Sequence, residues 1–204
     1  KLLYAQSNLE NVIERESFAT LSFACYDDQE IVPQLGITNR AYMKRVAANC
    51  RRFAEEFGTA HENLLFTGST GVGKTFLTNC IAGELMKRGH SVIYLSAADL
   101  FEVFSKNKFD SEDTENMQEM YRFVLECELL IIDDLGTELN NSFTSSQLFY
   151  CINERMGRER STIISTNLTI AGLRDSYTDR VASRIMSGYT IIPLYGRDLR
   201  LRAV

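Results

Sequence analysis

The sequence lacks the features that typify membrane, secreted and zinc-binding proteins. It has no apolar run long enough to cross a bilayer and no signal-peptide pattern. It contains two histidines, His61 and His90, and neither has a partner at metal-ligand spacing. The five cysteines are odd in number, well separated and without a C-x-x-C pair, which argues against a disulfide framework or a zinc site. These absences predict a cytoplasmic protein with reduced thiols and no membrane partner.

The length and charge of the chain set further bounds. A chain of 204 residues that is 45% hydrophobic fits one α/β domain with a short appendage. The formal net charge of −5 argues against non-specific nucleic-acid binding by the whole surface. A local basic groove remains compatible with that charge.

The most informative segment is residues 68–75, which fit the phosphate-binding pattern G-x-x-x-x-G-K-[ST] at every fixed position. Glycines let the backbone bend around an anion, so that successive N–H groups point at phosphate oxygens. Lys74 is expected to reach the β- and γ-phosphates of ATP, and the Thr75 hydroxyl is expected to bind Mg²⁺. The predicted nucleotide contacts are Gly68, Ser69, Thr70, Gly71, Val72, Gly73, Lys74, Thr75 and Phe76.

The surroundings of this loop support the same interpretation. The apolar run 63–67 before it reads as a buried strand, and 76–88 after it repeats apolar residues every four positions, as a helix does. From average glycine usage, a random chain of this size would carry the pattern about one time in a hundred. Strand, loop and helix in this order therefore predict a nucleotide site.

Beyond residue 62 the chain alternates apolar strands with helices, which predicts an α/β fold. Such strands form a parallel sheet covered by helices on both faces, here a three-layer sandwich with five strands. The predicted strands are 64–67, 91–95, 129–132, 162–165 and 190–194, and the predicted helices are 39–57 (capped by Thr38), 76–88, 99–108, 117–125 and 145–157. Residues 1–36 are predicted to be irregular, and the polar window 105–116 to be an exposed loop.

Two carboxylates, Asp133 and Asp134, directly follow the apolar run 129–132. In a chain with a phosphate loop, Asp133 is expected to hold Mg²⁺ beside Thr75, and Asp134 to polarise the attacking water. The simpler alternative is that both residues end a strand and begin a turn, since Asp favours turns. The phosphate loop in the same chain favours the nucleotide-site interpretation.

Two further positions suggest a role near the γ-phosphate. Asn167 follows the strand 162–165 and is placed to orient a water, although Asn is also an ordinary turn former. Arg180 and Arg184 have helical i, i+4 spacing, which is common on a solvated helix face. The sharper hypothesis is that an arginine here acts on the γ-phosphate of a neighbouring subunit.

These motifs together resemble AAA+ ATPases. More narrowly, LLFTG (64–68), IDDLG (132–136), ISTNL (164–168) and SRI (183–185) are similar to bacterial replicative-helicase loaders of the DnaC/DnaI type and to IstB-like ATP-binding proteins. The resemblance implies an AAA+ ATPase core over residues 38–204, preceded by an N-terminal linker segment over 1–37.

The resemblance also implies roles for single residues. Asp134 takes the catalytic carboxylate position, which is Glu in most AAA+ proteins, Asn167 the sensor-one position and Arg184 the arginine finger. The sequence ends soon after the strand 190–194, so no C-terminal helical lid is expected. The sensor-two role of that lid is then vacant or falls to Arg197 or Arg200.

The resemblance leaves two functions in competition. One is an ATP-hydrolysing helicase loader, which assembles in an ATP-dependent way on the replicative DNA helicase and single-stranded DNA. The other is a transposition helper that binds double-stranded DNA. A small-molecule P-loop kinase is less favoured, because no arginine cluster follows the two aspartates. The acidic net charge favours the loader, with ATP and Mg²⁺ as cofactors.

A single-stranded DNA site is predicted where two helices follow the second strand. In helicase loaders an extra helix at this place lines the DNA channel. Lys106 and Lys108 would neutralise phosphates, and Phe104 and Phe109 are candidate stacking faces, Phe104 being also a candidate for the core.

Overall fold

The computed structural model describes residues 15–32, 34–109 and 114–202, without the side chains of 107–109, 114–117 and 202. From residue 64 onward, each strand is separated from the next by one or two helices, which fits the predicted α/β pattern. In chain order they are β1 (Ile31–Val32), β2 (Ile37–Thr38), α1 (Asn39–Glu55), β3 (Leu64–Thr67), α2 (Lys74–Lys87), β4 (Val92–Ser96), α3 (Ala97–Phe109), α4 (Thr114–Glu126), β5 (Leu129–Leu135), α5 (Ser142–Gly157), β6 (Ser161–Thr166), α6 (Ile170–Tyr177), α7 (Asp179–Gly188) and β7 (Thr190–Pro193). Short 3-10 helices lie at Phe23–Cys25 and Leu199–Arg202.

In the described part of the chain, five strands form one parallel sheet in the order β4-β5-β6-β3-β7. Strand β6 is buried along its whole length between β5 and β3. The carboxyl ends of parallel strands meet at one edge of the sheet, which is where ligands of open α/β sheets bind. The predicted α/β sandwich with a five-stranded parallel sheet is confirmed.

The core forms two apolar layers, one on each face of the sheet. Side chains alternate along β5, so that Leu130 and Ile132 face one layer while Leu129 and Ile131 face the other. The first layer is completed by helices α3 to α7, and the second by α1, α2 and the N-terminal segment. The sheet therefore has helices on both faces, as near-continuous apolar strands require.

The ends of several elements differ from the sequence prediction by a few residues. The Thr38 cap is confirmed, because its side chain accepts from the Ala41 amide at 3.2 Å. Helix α5 begins three residues earlier than predicted, at Ser142, because Asn141 and Thr144 form a capping box. Strand β5 runs through both aspartates, and a register shift lies between Ile132 and Leu135. Helix α6 was not predicted.

Residues 105–109 and 114–116 are helical and not part of the predicted loop. Helix α3 continues to Phe109 and α4 begins at Thr114, while 110–113 lie outside the described residues. Phe101 and Phe104 face the core on α3, where their rings meet edge to face at a centroid distance of 6.0 Å. Phe104 is 1% exposed, so its alternative role as a DNA-stacking face is wrong.

The N-terminal segment is more ordered than the predicted irregular stretch. Strands β1 and β2 pair as a short antiparallel hairpin. Phe18 lies upstream of this hairpin, and its carbonyl accepts a hydrogen bond from Arg51 at 2.9 Å. The Arg51 guanidinium also lies 5.4 Å from the centre of the Phe18 ring. The Asn79 amide donates to Glu16 at 2.7 Å. Residues 15–26 are thereby fixed against α1 and α2, whereas 1–14 lie outside the described residues.

The described helices also bear on the membrane question. None of them is both long and apolar enough to span a bilayer.

Candidate nucleotide-binding site

The loop between β3 and α2 adopts a conformation that its glycines alone permit. Gly68, Gly71 and Gly73 have φ angles of 144°, 77° and 103°, all in the region that other residues avoid. A Cβ on Gly68 would lie 2.3 Å from the Leu194 carbonyl oxygen, and one on Gly73 would lie 2.6 Å from the Tyr26 hydroxyl. The loop is therefore packed closely from outside and requires glycine at both positions.

Lys74 begins helix α2, with its side chain folded back over this loop. Its Nζ donates to the Gly68 carbonyl at 2.7 Å and to the Ser69 carbonyl at 2.9 Å. Loss of solvation lowers the pKa of Lys74, and the charges of Asp134 and Asp133 oppose that shift. A phosphate group bound in this loop would replace the two neutral carbonyls as the hydrogen-bond acceptors of the Lys74 ammonium.

Asp133 lies next to the first turn of α2. Thr75 Oγ1 is 3.1 Å from Asp133 Oδ2 and 3.4 Å from Oδ1. A hydroxyl and a carboxylate at this separation are hard oxygen ligands of the kind that Mg²⁺ takes together with water and phosphate oxygens. The chemistry of these two side chains fits a magnesium ion, and their role as its ligands stays a prediction.

Two residues that sequence reasoning did not assign to the site hold the same carboxylate. Tyr94 on β4 donates to Asp133 Oδ2 at 2.7 Å, and Ser165 on β6 donates to Oδ1. Burial and the charge of Asp133 raise the pKa of Tyr94, so its hydroxyl stays a donor. The available signal was a polar residue inside each of two apolar strands. It could not be used without knowing that β4 and β6 flank β5.

Asp134 is the other carboxylate at this edge of the sheet. Its φ of 55° is left-handed, which is uncommon for a residue other than glycine, and its amide donates to Ser165 Oγ at 2.9 Å. Loss of solvation and the charge of Asp133 raise its pKa, while Lys74 and Arg200 oppose the shift. The left-handed backbone at Asp134 coincides with the register shift in β5, and Asp134 lines the cavity together with Lys74.

These groups surround a cavity of about 620 Å³. One wall is the phosphate loop with both aspartates, and the opposite wall comes from the N-terminal segment and the C-terminal 3-10 helix. The N-terminal lining residues are Glu16, Thr20, Leu21, Ser22, Cys25 and Tyr26. Sequence analysis did not find this wall, because the segment has no periodic pattern and reaches the loop through tertiary contacts.

Of Arg197 and Arg200, the two candidates for the sensor-two role, Arg200 lies on the C-terminal wall of the cavity. Arg200 lines the cavity and pairs with Asp198, at 3.1 Å between Arg200 Nε and Asp198 Oδ1. Arg197 is exposed and is not a lining residue. The Asp198 carboxylate packs against Gly71, where any Cβ would overlap it.

Asn167 and Arg184 do not join this cluster within one chain. Asn167 follows β6 at the same edge of the sheet but is exposed and does not line the cavity. Arg184 is exposed on α7, and Arg180 on the same helix lines a separate cleft near the start of α5. The roles of Asn167 and Arg184 therefore stay predictions.

Comparison with known proteins identifies the family. The profile of the family described as IstB-like ATP binding protein matches residues 37–202. The chain belongs to this family. Among curated relatives, the replicative helicase loader DnaC of Buchnera aphidicola subsp. Acyrthosiphon pisum is 24% identical over 90% of this chain and 72% of its own length. The DnaC loader of Escherichia coli K12 is 25% identical over 74% of this chain and 61% of its own length.

Solved structures of related proteins share the fold of this IstB-like protein. The crystal structure of the DnaC helicase loader matches with a TM-score of 0.72 at 22% identity, over 90% of this chain and 99% of that one. DnaI matches with a TM-score of 0.68 at 24% identity, over 93% of both chains. The replication initiator DnaA bound to AMPPCP and single-stranded DNA matches with a TM-score of 0.64 at 25% identity, over 75% of this chain and 46% of that one. The fold is that of the P-loop AAA+ proteins.

Proposed function

We propose that this IstB-like protein binds ATP with Mg²⁺ at its phosphate loop and hydrolyses it. The observation that carries the proposal is the meeting of four groups at one edge of the sheet. They are the Lys74 ammonium, the Thr75 hydroxyl and the carboxylates of Asp133 and Asp134, and they border one cavity. Phosphoryl transfer needs such positioned charges more than it needs covalent chemistry.

Each group has one task in the conversion of ATP and water to ADP and phosphate. Lys74 exchanges its two carbonyl acceptors for oxygens of the β- and γ-phosphates. Thr75 and Asp133 hold the magnesium ion, which supplies neutralisation of phosphate charge when it is bound. Asp134 orients the attacking water and takes its proton.

Two exposed residues complete the proposal, one in its own subunit and one in a neighbour. Asn167, at the same edge of the sheet as the aspartates, orients the attacking water. Arg184 lies on α7, away from the cavity of its own chain. An arginine in that position is suited to reach the γ-phosphate of a neighbouring subunit, so hydrolysis is slow until subunits assemble.

We further propose that ATP binding drives assembly on a replicative DNA helicase and single-stranded DNA in the cytoplasm. Support comes from the curated relatives named replicative helicase loader and from the DnaA neighbour, which was solved with AMPPCP and single-stranded DNA. In this proposal residues 38–204 are the ATPase core, and residues 1–37 are the linker segment that leads into it, with residues between Glu16 and Tyr26 lining the nucleotide cavity.

Loading of the hexameric helicase from the same source onto a closed single-stranded DNA circle tests this function. The circle is isolated by gel filtration, and the helicase retained on it is measured. We expect retention to require both this protein and ATP, and to fall to background with the Lys74→Ala variant. Retention that is independent of the protein would contradict the loader proposal.

The second candidate function is an IstB-like transposition helper, which the family match itself favours. Binding assays that compare a single-stranded oligonucleotide with its duplex form separate the two. A loader is expected to prefer the single strand in the presence of a non-hydrolysable ATP analogue. Preference for the duplex, together with no helicase retention, would support the helper.

A further inference from the structure

A ring of hydroxyl groups links the first turns of α2 to Asp133 through strand β4. Tyr94 and Thr75 both donate to Asp133 Oδ2, at 2.7 and 3.1 Å. On its other side the Tyr94 hydroxyl oxygen is 3.2 Å from Thr78 Oγ1, which also donates to the Thr75 carbonyl at 2.9 Å. Tyr94 therefore connects strand β4 to Asp133 on β5 and to Thr78 on α2, the helix that follows the phosphate loop.

The protons in this ring leave little freedom. Each hydroxyl has one proton, and the Tyr94 proton goes to Asp133. A hydrogen bond between Tyr94 and Thr78 therefore uses the Thr78 proton, which the Thr75 carbonyl also accepts. Thr78 is fully buried, and Tyr94 is half-buried with its ring on the α1–α2 side of the sheet. A phenylalanine would fill the same apolar space. The hydroxyl is therefore explained by its bond to the carboxylate rather than by packing.

The donors also divide the lone pairs of the carboxylate. Tyr94 donates to one oxygen of Asp133 and Ser165 donates to the other. A carboxylate has about four acceptor positions. Tyr94 and Thr75 take both positions on Oδ2, and Ser165 takes one on Oδ1, so a position on Oδ1 remains for a metal ion or its water. Residues that fix a metal-binding carboxylate by hydrogen bonds raise its affinity for the metal.

We propose that Tyr94 is a positioning residue for the divalent metal of the nucleotide complex. Its hydroxyl holds the Asp133 carboxylate against Thr75 in the orientation that receives the ion, and it does not touch the phosphates. This role rests on the proposed function, because it requires that nucleotide and metal bind at Thr75 and Asp133.

Binding of a fluorescent ADP analogue to the full chain, first in EDTA and then in a Mg²⁺ titration, tests the role. Tyr94→Phe is expected to raise the Mg²⁺ midpoint about 10- to 100-fold, the usual cost of losing such a hydrogen bond at a metal site. Affinity in EDTA is expected to stay at the wild-type value. Tyr42→Phe is the matched control, since it removes another tyrosine hydroxyl bond, to the Pro193 carbonyl at 2.8 Å. It is expected to leave the Mg²⁺ midpoint unchanged.

A second variant covers the case in which Tyr94→Phe does not fold, as judged by circular dichroism. Thr78→Val leaves the Tyr94–Asp133 bond in place but removes the other partner of the tyrosine, and a smaller increase of the midpoint is expected. Wild-type midpoints in every folded variant would overturn the role of Tyr94 while leaving the nucleotide site intact. Nucleotide binding by wild-type protein that Mg²⁺ does not affect would overturn both the role of Tyr94 and the proposed magnesium site at Thr75 and Asp133.

Discussion

The Leu199 amide donates to the Gly71 carbonyl across 2.9 Å, which joins the C-terminal 3-10 helix to the phosphate loop. The path to this contact is also fixed upstream, because Asn39 donates to the Tyr195 carbonyl at 3.0 Å. The same segment carries Arg200 to the cavity, beside Asp134 and Lys74. The C-terminal 3-10 helix is therefore part of the candidate nucleotide site.

The position of this 3-10 helix predicts different effects of Arg200 and Arg197 on nucleotide affinity. Arg200 lines the cavity together with Lys74 and is suited to contact a phosphate there. Arg200→Ala should therefore weaken binding of an ATP analogue about 10- to 100-fold, because a charge-assisted hydrogen bond contributes about 1.5–3 kcal/mol. Arg197→Ala, at an exposed position outside the cavity, should bind as wild type does. Isothermal titration calorimetry of both variants measures the difference. Equal affinities for the two variants would contradict a phosphate contact by Arg200.

Asp134→Asn should retain nucleotide binding and lose turnover. Removing a general base typically lowers the rate about 10²- to 10⁴-fold, whereas the amide keeps the size of the side chain. Asp175→Asn, which changes an exposed aspartate of α6 away from the cavity, is the control for both measurements. Wild-type turnover by Asp134→Asn in a phosphate-release assay would exclude Asp134 as the base.

The raised pKa of Asp134 adds a pH dependence to that prediction. A base works in its ionised form, so turnover should fall off on the acid side at a higher pH than for an ordinary aspartate. Arg200 lowers this pKa, and Arg200→Ala should therefore move the acid limb to still higher pH. A limb that is unmoved in Arg200→Ala would contradict the assignment of Asp134 to it.

How far the sequence predicts this molecule depends on whether a feature is local. The phosphate loop could be located because glycine spacing, the preceding strand and the following helix are all encoded within residues 63–88. Strand and helix types follow from periodicity, but the loop predicted over 105–116 is wrong at 105–109 and 114–116, because the polar composition conceals the helical ends of α3 and α4. Local composition does not record what packs beneath a helix.

The parts of the site that could not be predicted depend on strand order and on chain ends. Tyr94 reaches Asp133 only because β4 lies beside β5, with Ser96 opposite Asp133 in the register. Ser165 reaches the same carboxylate from β6 on the other side. The N-terminal wall depends on single contacts such as Asn79 to Glu16, which follow no sequence pattern.

Arg184 is predicted to act on a neighbouring subunit, so activity should be recovered by mixing two inactive proteins. Arg184→Ala keeps an intact phosphate loop, and Lys74→Ala keeps an intact Arg184. A trans arginine contributes about 10³- to 10⁵-fold in rate, so partial recovery is readily measured by phosphate release. The control mixture replaces Lys74→Ala with a double variant of Lys74 and Arg184. Equal activity in the two mixtures, at concentrations where wild-type protein assembles, would contradict a trans role.

Single-stranded DNA binding is predicted to depend on the end of α3. Lys106 is exposed and forms an i, i+4 pair with Glu102 at 2.5 Å, whereas the side chain of Lys108 lies outside the described residues. Lys106→Glu with Lys108→Glu should reduce binding. The slope of the logarithm of the binding constant against the logarithm of salt concentration should become shallower by about 0.7 for each lost phosphate contact. Fluorescence anisotropy with a non-hydrolysable ATP analogue measures both.

The control for that experiment reverses two lysines elsewhere. Lys44→Glu with Lys87→Glu makes the same change of net charge on helices α1 and α2. If both double variants lose binding equally, the effect comes from net charge rather than from a site on α3.

The central claim is that Lys74 and its loop bind the phosphates of ATP, and equilibrium binding of a fluorescent ATP analogue tests it most directly. Wild-type protein should bind in the presence of Mg²⁺, and Lys74→Ala should lose about 10-fold or more in affinity, because a charged donor to phosphate is removed. Lys87→Ala, at the exposed end of the same helix, should bind as wild type does. Unchanged affinity in Lys74→Ala would contradict the assignment of this loop as the nucleotide site.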